Sequence, residues 1–238
     1  MHRTALPEVP SLDPGIQLLA TGGRRAASAV GPLAALVVDH VLRTGGVAYW
    51  VDSRGHARTD PLVRVAPHDR ALDRIRVARA FTAYQHFALA RRLPEVVGDD
   101  ASLVVLPAMD AFYRADDVGR STGRRLLMRA LATVATLARE RDLPVLVTRR
   151  GADGLGEPLA TAAERTIECR STPQGPRFVA EDFETLVYPG EGGTVQTTLA
   201  FWRQVLDARR PLHALGAAGG DPADDGPSVA PGLAADGS

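Results

Sequence analysis

Apolar runs alternate with amphipathic stretches along most of the chain. Ile16 to Ala20 is a short apolar run bounded by glycine-rich sequence, the pattern of a buried strand. A turn rich in Gly and Arg follows, then an apolar helical stretch from Ser28 to Arg43, with Pro32 tolerated only near its first turn. Gly45-Gly46 supplies a stop. Val47 to Asp52 is a second strand. Strand, glycine turn, helix and strand make a βαβ unit, which implies parallel pairing with a right-handed crossover. Residues 53 to 80 are arginine-rich and are expected to mix loop with short helix. Ala83 to Leu93 has helical character up to Pro94. Ser102 to Leu106 is a near-continuous apolar run, as in a central parallel strand. Residues 122 to 141 form the clearest amphipathic helix, with Leu127, Leu131, Val134 and Ala138 on one face. Pro144 to Thr148 is another central strand. Arg165 to Arg170 and Arg177 to Tyr188 suggest a β-hairpin around Pro173-Gln174-Gly175. Thr197 to Ala208 is the last expected helix, and no internal repeat is apparent. The expectation is an α/β fold with a mostly parallel central sheet flanked by helices and a late β-hairpin.

Composition narrows the function classes. The 238 residues suffice for one α/β domain with a core. The 28 basic and 28 acidic residues cancel, so any nucleic-acid-binding patch must be local. All 28 basic residues are arginine; the chain has no lysine. Cys169 is the single cysteine, which excludes an internal disulfide and a cysteine metal cluster, and it is expected to be a packed residue. His40, His56, His68 and His86 lack metal-ligand spacing, so no metal site is expected. The N-terminus lacks a basic-then-apolar leader and no apolar run reaches about 18 residues, so a cytoplasmic location without membrane contact is expected.

Several segments carry chemistry in their order. Thr21-Gly22-Gly23-Arg24-Arg25-Ala26-Ala27-Ser28 occupies the turn after the first strand, where a phosphate-binding loop would need glycines, a lysine and a Ser or Thr for magnesium. Arg79-Ala80-Phe81-Thr82-Ala83-Tyr84-Gln85, Leu103 to Arg114, Asp116 to Arg120, Pro144 to Thr148, and Arg165 to Arg170 then follow in sequence. Together they resemble the RecA/RadA recombinase superfamily over roughly residues 12 to 190, nearest in size to short paralogs of the RadB type. The first segment is similar to A-R-A-F-x-x-x-x-Q with the Gln displaced by one, and the second to the strand that carries the Walker B aspartate. The resemblance implies a RecA-like P-loop NTPase core at residues 15–210. A loose lead-in would occupy 1–14, and a disordered tail rich in Gly, Ala, Pro and Asp would occupy 211–238.

Four positions depart from the family. The P-loop lysine is Ala27, and only the Ser28 hydroxyl remains at the end of that frame. The Walker B aspartate is Pro107, the catalytic glutamate is Arg54, and the glutamine that senses the terminal phosphate is Arg150. The resemblance therefore implies a degenerate nucleotide site at Thr21, Gly22, Gly23, Arg24, Arg25, Ser28 and Pro107. No catalytic residue and no cofactor are expected, with ATP and magnesium disfavoured. Arg24 and Arg25 either hold a phosphate through guanidinium or form a solvated turn. Arg149, Arg150 and Arg54 are the candidate DNA or phosphate contacts, against the alternative of an exposed basic turn at Arg149-Arg150. Asp110, three residues past Pro107, is a weaker alternative as a displaced metal ligand. Phe201 and Trp202 are expected to pack in the core or to dock a partner.

The expected function is that of a non-catalytic paralog assisting homologous recombination or DNA repair. Its partner would be a RadA-type recombinase or another repair protein, and DNA is a second candidate. Two alternatives stay open: a divergent ATPase using arginines in place of the lysine, and a KaiC-like regulatory scaffold without DNA binding. No Phe lies in residues 1 to 20, so polymerisation through an F-x-x-A motif ahead of the core is not expected.

Overall fold

A computed structural model of the chain describes residues 9–21, 30–172, 175–181, 183–186 and 198–217. Eight strands form one sheet in the order β3-β2-β4-β5-β1-β6-β7-β8. They are β1 (Gly15–Thr21), β2 (Val47–Ser53), β3 (Ile75–Ala80), β4 (Ala101–Leu106), β5 (Pro144–Val147), β6 (Arg165–Thr172), β7 (Gly175–Ala180) and β8 (Phe183–Leu186). From β3 through β6 every pairing is parallel, whereas β6-β7 and β7-β8 are antiparallel. The mostly parallel α/β sheet is as expected from the sequence, and the late hairpin region contains two antiparallel connections.

The strand alternation sorts side chains to two covered faces. Leu103 and Val105 point to one face, where α1 (Val30–Thr44), α2 (Thr59–Val65) and α6 (Thr198–Ala208) pack. Val104 and Leu106 point to the other, against α3 (Ala83–Val96), α4 (Arg120–Glu140) and α5 (Glu157–Ala162). Trp202 is fully buried on the first face, its ring centroid 5.1 Å from that of Phe178. It is a core residue, not a docking anchor. The side chain of Phe201 lies outside the described residues. Cys169 is buried on the same face, and burial pushes its thiol up to about 12, so it is a packed thiol without nucleophilic character at neutral pH.

The expected boundaries change in four places. The arginine-rich stretch 53–80 ends in a real strand, β3, whose residues are mostly exposed or half-buried because β3 borders the sheet. An edge strand needs no apolar run, so the periodicity is weak there. Helix α3 continues through Pro94 to Val96. The lead-in is not loose from residue 9 onward: Val9 and Leu12 are buried in the core, and Arg165 holds Ser11 and Asp13. The tail does not begin at 211, since α7 (Arg210–Ala217) forms a further helix packed on α1. What docks it is a buried charge cluster. Asp39 of α1, 2% exposed, accepts Arg209 Nε at 2.7 Å and Arg209 Nη2 at 3.0 Å, and lies 2.9 Å from His213 Nε2.

Candidate functional site

The parallel registers bring the carboxyl ends of β1, β2, β4 and β5 to one side of the sheet. Asp52 follows Val51 across from β3's Ala78 and Arg79, Leu106 lies beside Val147, and Val147 lies beside Leu18. Thr21, Arg54, Pro107, Arg149 and Arg150 therefore share this end, where ligands gather in open α/β sheets. Gly22, Gly23, Arg24, Arg25 and Ser28 lie outside the described residues.

Pro107 ends β4 and is buried. It brings no carboxylate, and its carbonyl accepts the hydroxyl of Ser53, which also reaches the carbonyl of Ala108 at 3.1 Å. Ala108 has φ 45°, a left-handed conformation uncommon for a residue with a Cβ. The turn is fixed by hydrogen bonds: Ala108 N donates to Thr148 Oγ1 at 2.7 Å, and Met109 N to the Thr148 carbonyl at 2.9 Å. Thr148 thus clamps the ends of β4 and β5 together.

The carboxylates at these strand ends are internally committed. Asp110 is fully buried; its Oδ1 accepts the Arg150 backbone N–H at 2.8 Å and its Oδ2 accepts Arg114 Nε at 2.8 Å. Arg114 also grips Asp153 with two bonds of 2.6 Å, and Asp153 in turn accepts the backbone N–H groups of Leu155 and Gly156. These hydrogen bonds hold the Asp153 carboxyl well below its usual range and raise the Arg114 guanidinium above its own. Asp110 is therefore a structural anchor for the loop after β5, not a displaced metal ligand. Asp52, also fully buried, accepts the Ala57 N–H at 2.8 Å and lies 3.3 Å from Arg79 Nε. Among the described residues no three His, Cys, Asp or Glu side chains group in a way that holds a metal ion.

The arginines expected to touch phosphate separate into two sorts. Arg149 is half-buried and donates to the Gly156 carbonyl at 3.1 Å. Arg150 is exposed, and its side chain makes no ion pair among the described residues. Arg54 is exposed at φ 58°, with its guanidinium 5.6 Å from the Phe112 ring centroid. Beside it opens a cleft of about 550 Å³ lined by Arg54, Arg58, Arg79, Phe81 and Phe112. Sequence reasoning picked Arg54 alone. Arg79 and Phe81 stood in the motif, but their grouping with Arg58 depends on β3 pairing with β2, and that strand was not expected.

The family model named Rad51 matches residues 27–175, more than half of the chain. The chain belongs to the Rad51 family. This is a family of RecA-like recombination and repair proteins, as the order of segments implied. No curated protein matches the sequence. The match spans β2, β4 and β5, so Arg54, Pro107 and Arg150 lie within the matched residues. A nucleotide with magnesium is the group such a fold implies. The described residues do not fit it: Pro107 offers no ligand, Asp110 spends its oxygens on the Arg150 backbone N–H and on Arg114, and Asp52 accepts the Ala57 N–H on one oxygen and faces Arg79 at 3.3 Å with the other, without a hydrogen bond. Among the described residues, no helix is long and apolar enough to cross a membrane.

Proposed function

We propose that this Rad51-family chain is a non-catalytic accessory factor in homologous recombination or DNA repair, contacting an active recombinase, DNA or both. The observation that carries this is the state of the strand ends. Phosphoryl transfer depends on positioning and electrostatics: a cation on the outer phosphates, a carboxylate on the metal and a base for water. Here the chain has no lysine, the two strand-end carboxylates are buried and each is paired with an arginine, and Arg54 stands in place of the glutamate.

The edge of the sheet supports the recombinase half of the proposal. Among the described residues β3 pairs only with β2, which leaves its other edge open. An open edge accepts an added strand from a partner, with side-chain pockets giving specificity. Beside β3 lies a cleft of about 250 Å³ whose lining includes Tyr49, Val77, Leu89, Leu93 and Val96. Val77 is 43% exposed. An extended apolar segment of a recombinase fits this surface. In titration calorimetry against a purified Rad51-family recombinase, Val77→Asp is expected to weaken binding at least tenfold while leaving the circular dichroism spectrum unchanged. Equal affinities for variant and wild type would remove the edge of β3 from the account.

A further inference from the structure

We infer that the cleft formed by Arg54, Arg58, Arg79, Phe81 and Phe112 binds single-stranded DNA, taking a backbone phosphate on the arginines and a base against Phe81. The inference rests on the DNA half of the function proposed above and gives it a site.

Three features of the cleft point to this ligand. The first is unbalanced charge. Of the three arginines only Arg79 faces a carboxylate, the buried Asp52, while Arg54 and Arg58 are exposed and make no ion pair among the described residues. Two guanidinium groups without counter-charge at the mouth of a cleft attract a phosphate, which guanidinium binds through paired N–H donors. The second is a bare aromatic ring. Phe81 is 71% exposed, although a ring of that size ordinarily contributes to a core. Its backbone is nonetheless well fixed, because Phe81 N donates to Gln85 Oε1 at 2.9 Å and the Thr82 hydroxyl caps α3 by accepting from Gln85 N at 3.2 Å. A ring presented to solvent from a fixed backbone makes a stacking platform, and stacking on aromatics serves any base. The third is conformational. Arg54 and Gly55 both hold positive φ, at 58° and 77°, and the non-glycine residue pays a steric cost to face Phe112 across the cleft.

The arrangement favours a single strand over a duplex. In a duplex the bases are stacked on one another and offer Phe81 no free face, whereas an unpaired base can turn onto it. It also favours a strand over a free nucleotide. Exposed Arg150 lies at the end of β5, two strands from β2, or about 10 Å at the usual strand spacing, and so extends the positive surface beyond one nucleotide.

The test is fluorescence anisotropy of the full chain with 5′-labelled dT20, a duplex of equal length, and unlabelled dTMP as competitor. Arg58→Ala should weaken dT20 binding about tenfold and flatten the salt dependence by a little under one unit of slope, one phosphate contact being lost. Phe81→Ala should weaken it about tenfold with the slope unchanged, and Phe81→Trp should restore it. Duplex binding should be weaker and indifferent to Phe81→Ala. Wild-type binding that neither variant alters would overturn the site while leaving DNA binding elsewhere on the chain intact. No binding by the wild type would overturn both the site and the DNA half of the proposed function, and the recombinase half would still rest on Val77. Competition by dTMP at the affinity of the strand would overturn the single-strand assignment in favour of a nucleotide site.

Discussion

Asp39→Asn is expected to destabilise the chain by about 3–5 kcal/mol at pH 7, the cost of leaving a buried charge without its partner. Asp39 and Arg209 are 2% and 5% exposed, so solvent screens neither. The variant keeps the shape of the side chain and one acceptor oxygen, but it removes the counter-charge from Arg209 and sets an amide NH2 against one of the donors that the second oxygen accepted. Because these residues join α1 to the turn between α6 and α7, the loss should first free α7. Urea unfolding followed by circular dichroism measures the effect, and amide exchange locates it. A double variant, Asp39→Leu with Arg209→Met, should recover most of the loss, since an apolar pair of similar volume avoids the desolvation cost. The pH dependence follows from the shift at Asp39. Burial raises its pKa, but the hydrogen bonds from His213 and Arg209 and their charges outweigh burial and hold it below 3.8. A carboxyl whose folded pKa is depressed contributes stability above its unfolded pKa and loses it as pH falls through the folded one. The gap between wild type and Asp39→Asn should therefore be full at pH 7 and narrow below about pH 4. A gap under 1 kcal/mol at pH 7 would show that the cluster does not hold α7.

Asp110→Ala is expected to cost about 3 kcal/mol and to loosen the loop that follows β5. The substitution leaves the Arg150 backbone N–H without its acceptor and takes a buried counter-charge from Arg114. Asp110→Asn keeps one acceptor oxygen and should cost roughly half as much. Asp153→Ala, acting on an exposed carboxylate, should cost least, because solvent screens that half of the network. The measurement is the ordering of the three variants in urea midpoint, together with amide exchange over residues 149–156. If Asp110→Ala left both unchanged, Asp110 would be free to serve as a ligand, contrary to its role as anchor.

Much of the fold was visible as pattern, and the exceptions have physical causes. The central strands β4 and β5 are apolar apart from Ser102 because both faces are covered, so periodicity located them. Strand β3 was hidden because it lies at the edge and carries Arg76 and Arg79 where a central strand would carry valine. Helix α7 was hidden because Arg-Pro-Leu-His-Ala-Leu-Gly-Ala is poor in bulky apolar residues, and its docking depends on an acid 170 residues earlier in the chain. That acid left a signal nonetheless: Asp39 is a lone carboxylate inside an apolar helical run, a position that requires a buried partner. At the candidate site, Arg54, Pro107 and Arg150 were singled out by order and spacing, and parallel register brings them to one end of the sheet. The cleft beside Arg54 was not legible, because its members come from three separate segments brought together by the pairings of β2 with β3 and with β4.

The central claim is that the chain performs no phosphoryl transfer. Phosphate release from magnesium-ATP by the purified chain, with and without dT20, tests it most directly. The account predicts release at the protein-free rate under both conditions. Release that scales with protein concentration and disappears in Ser28→Ala would contradict it.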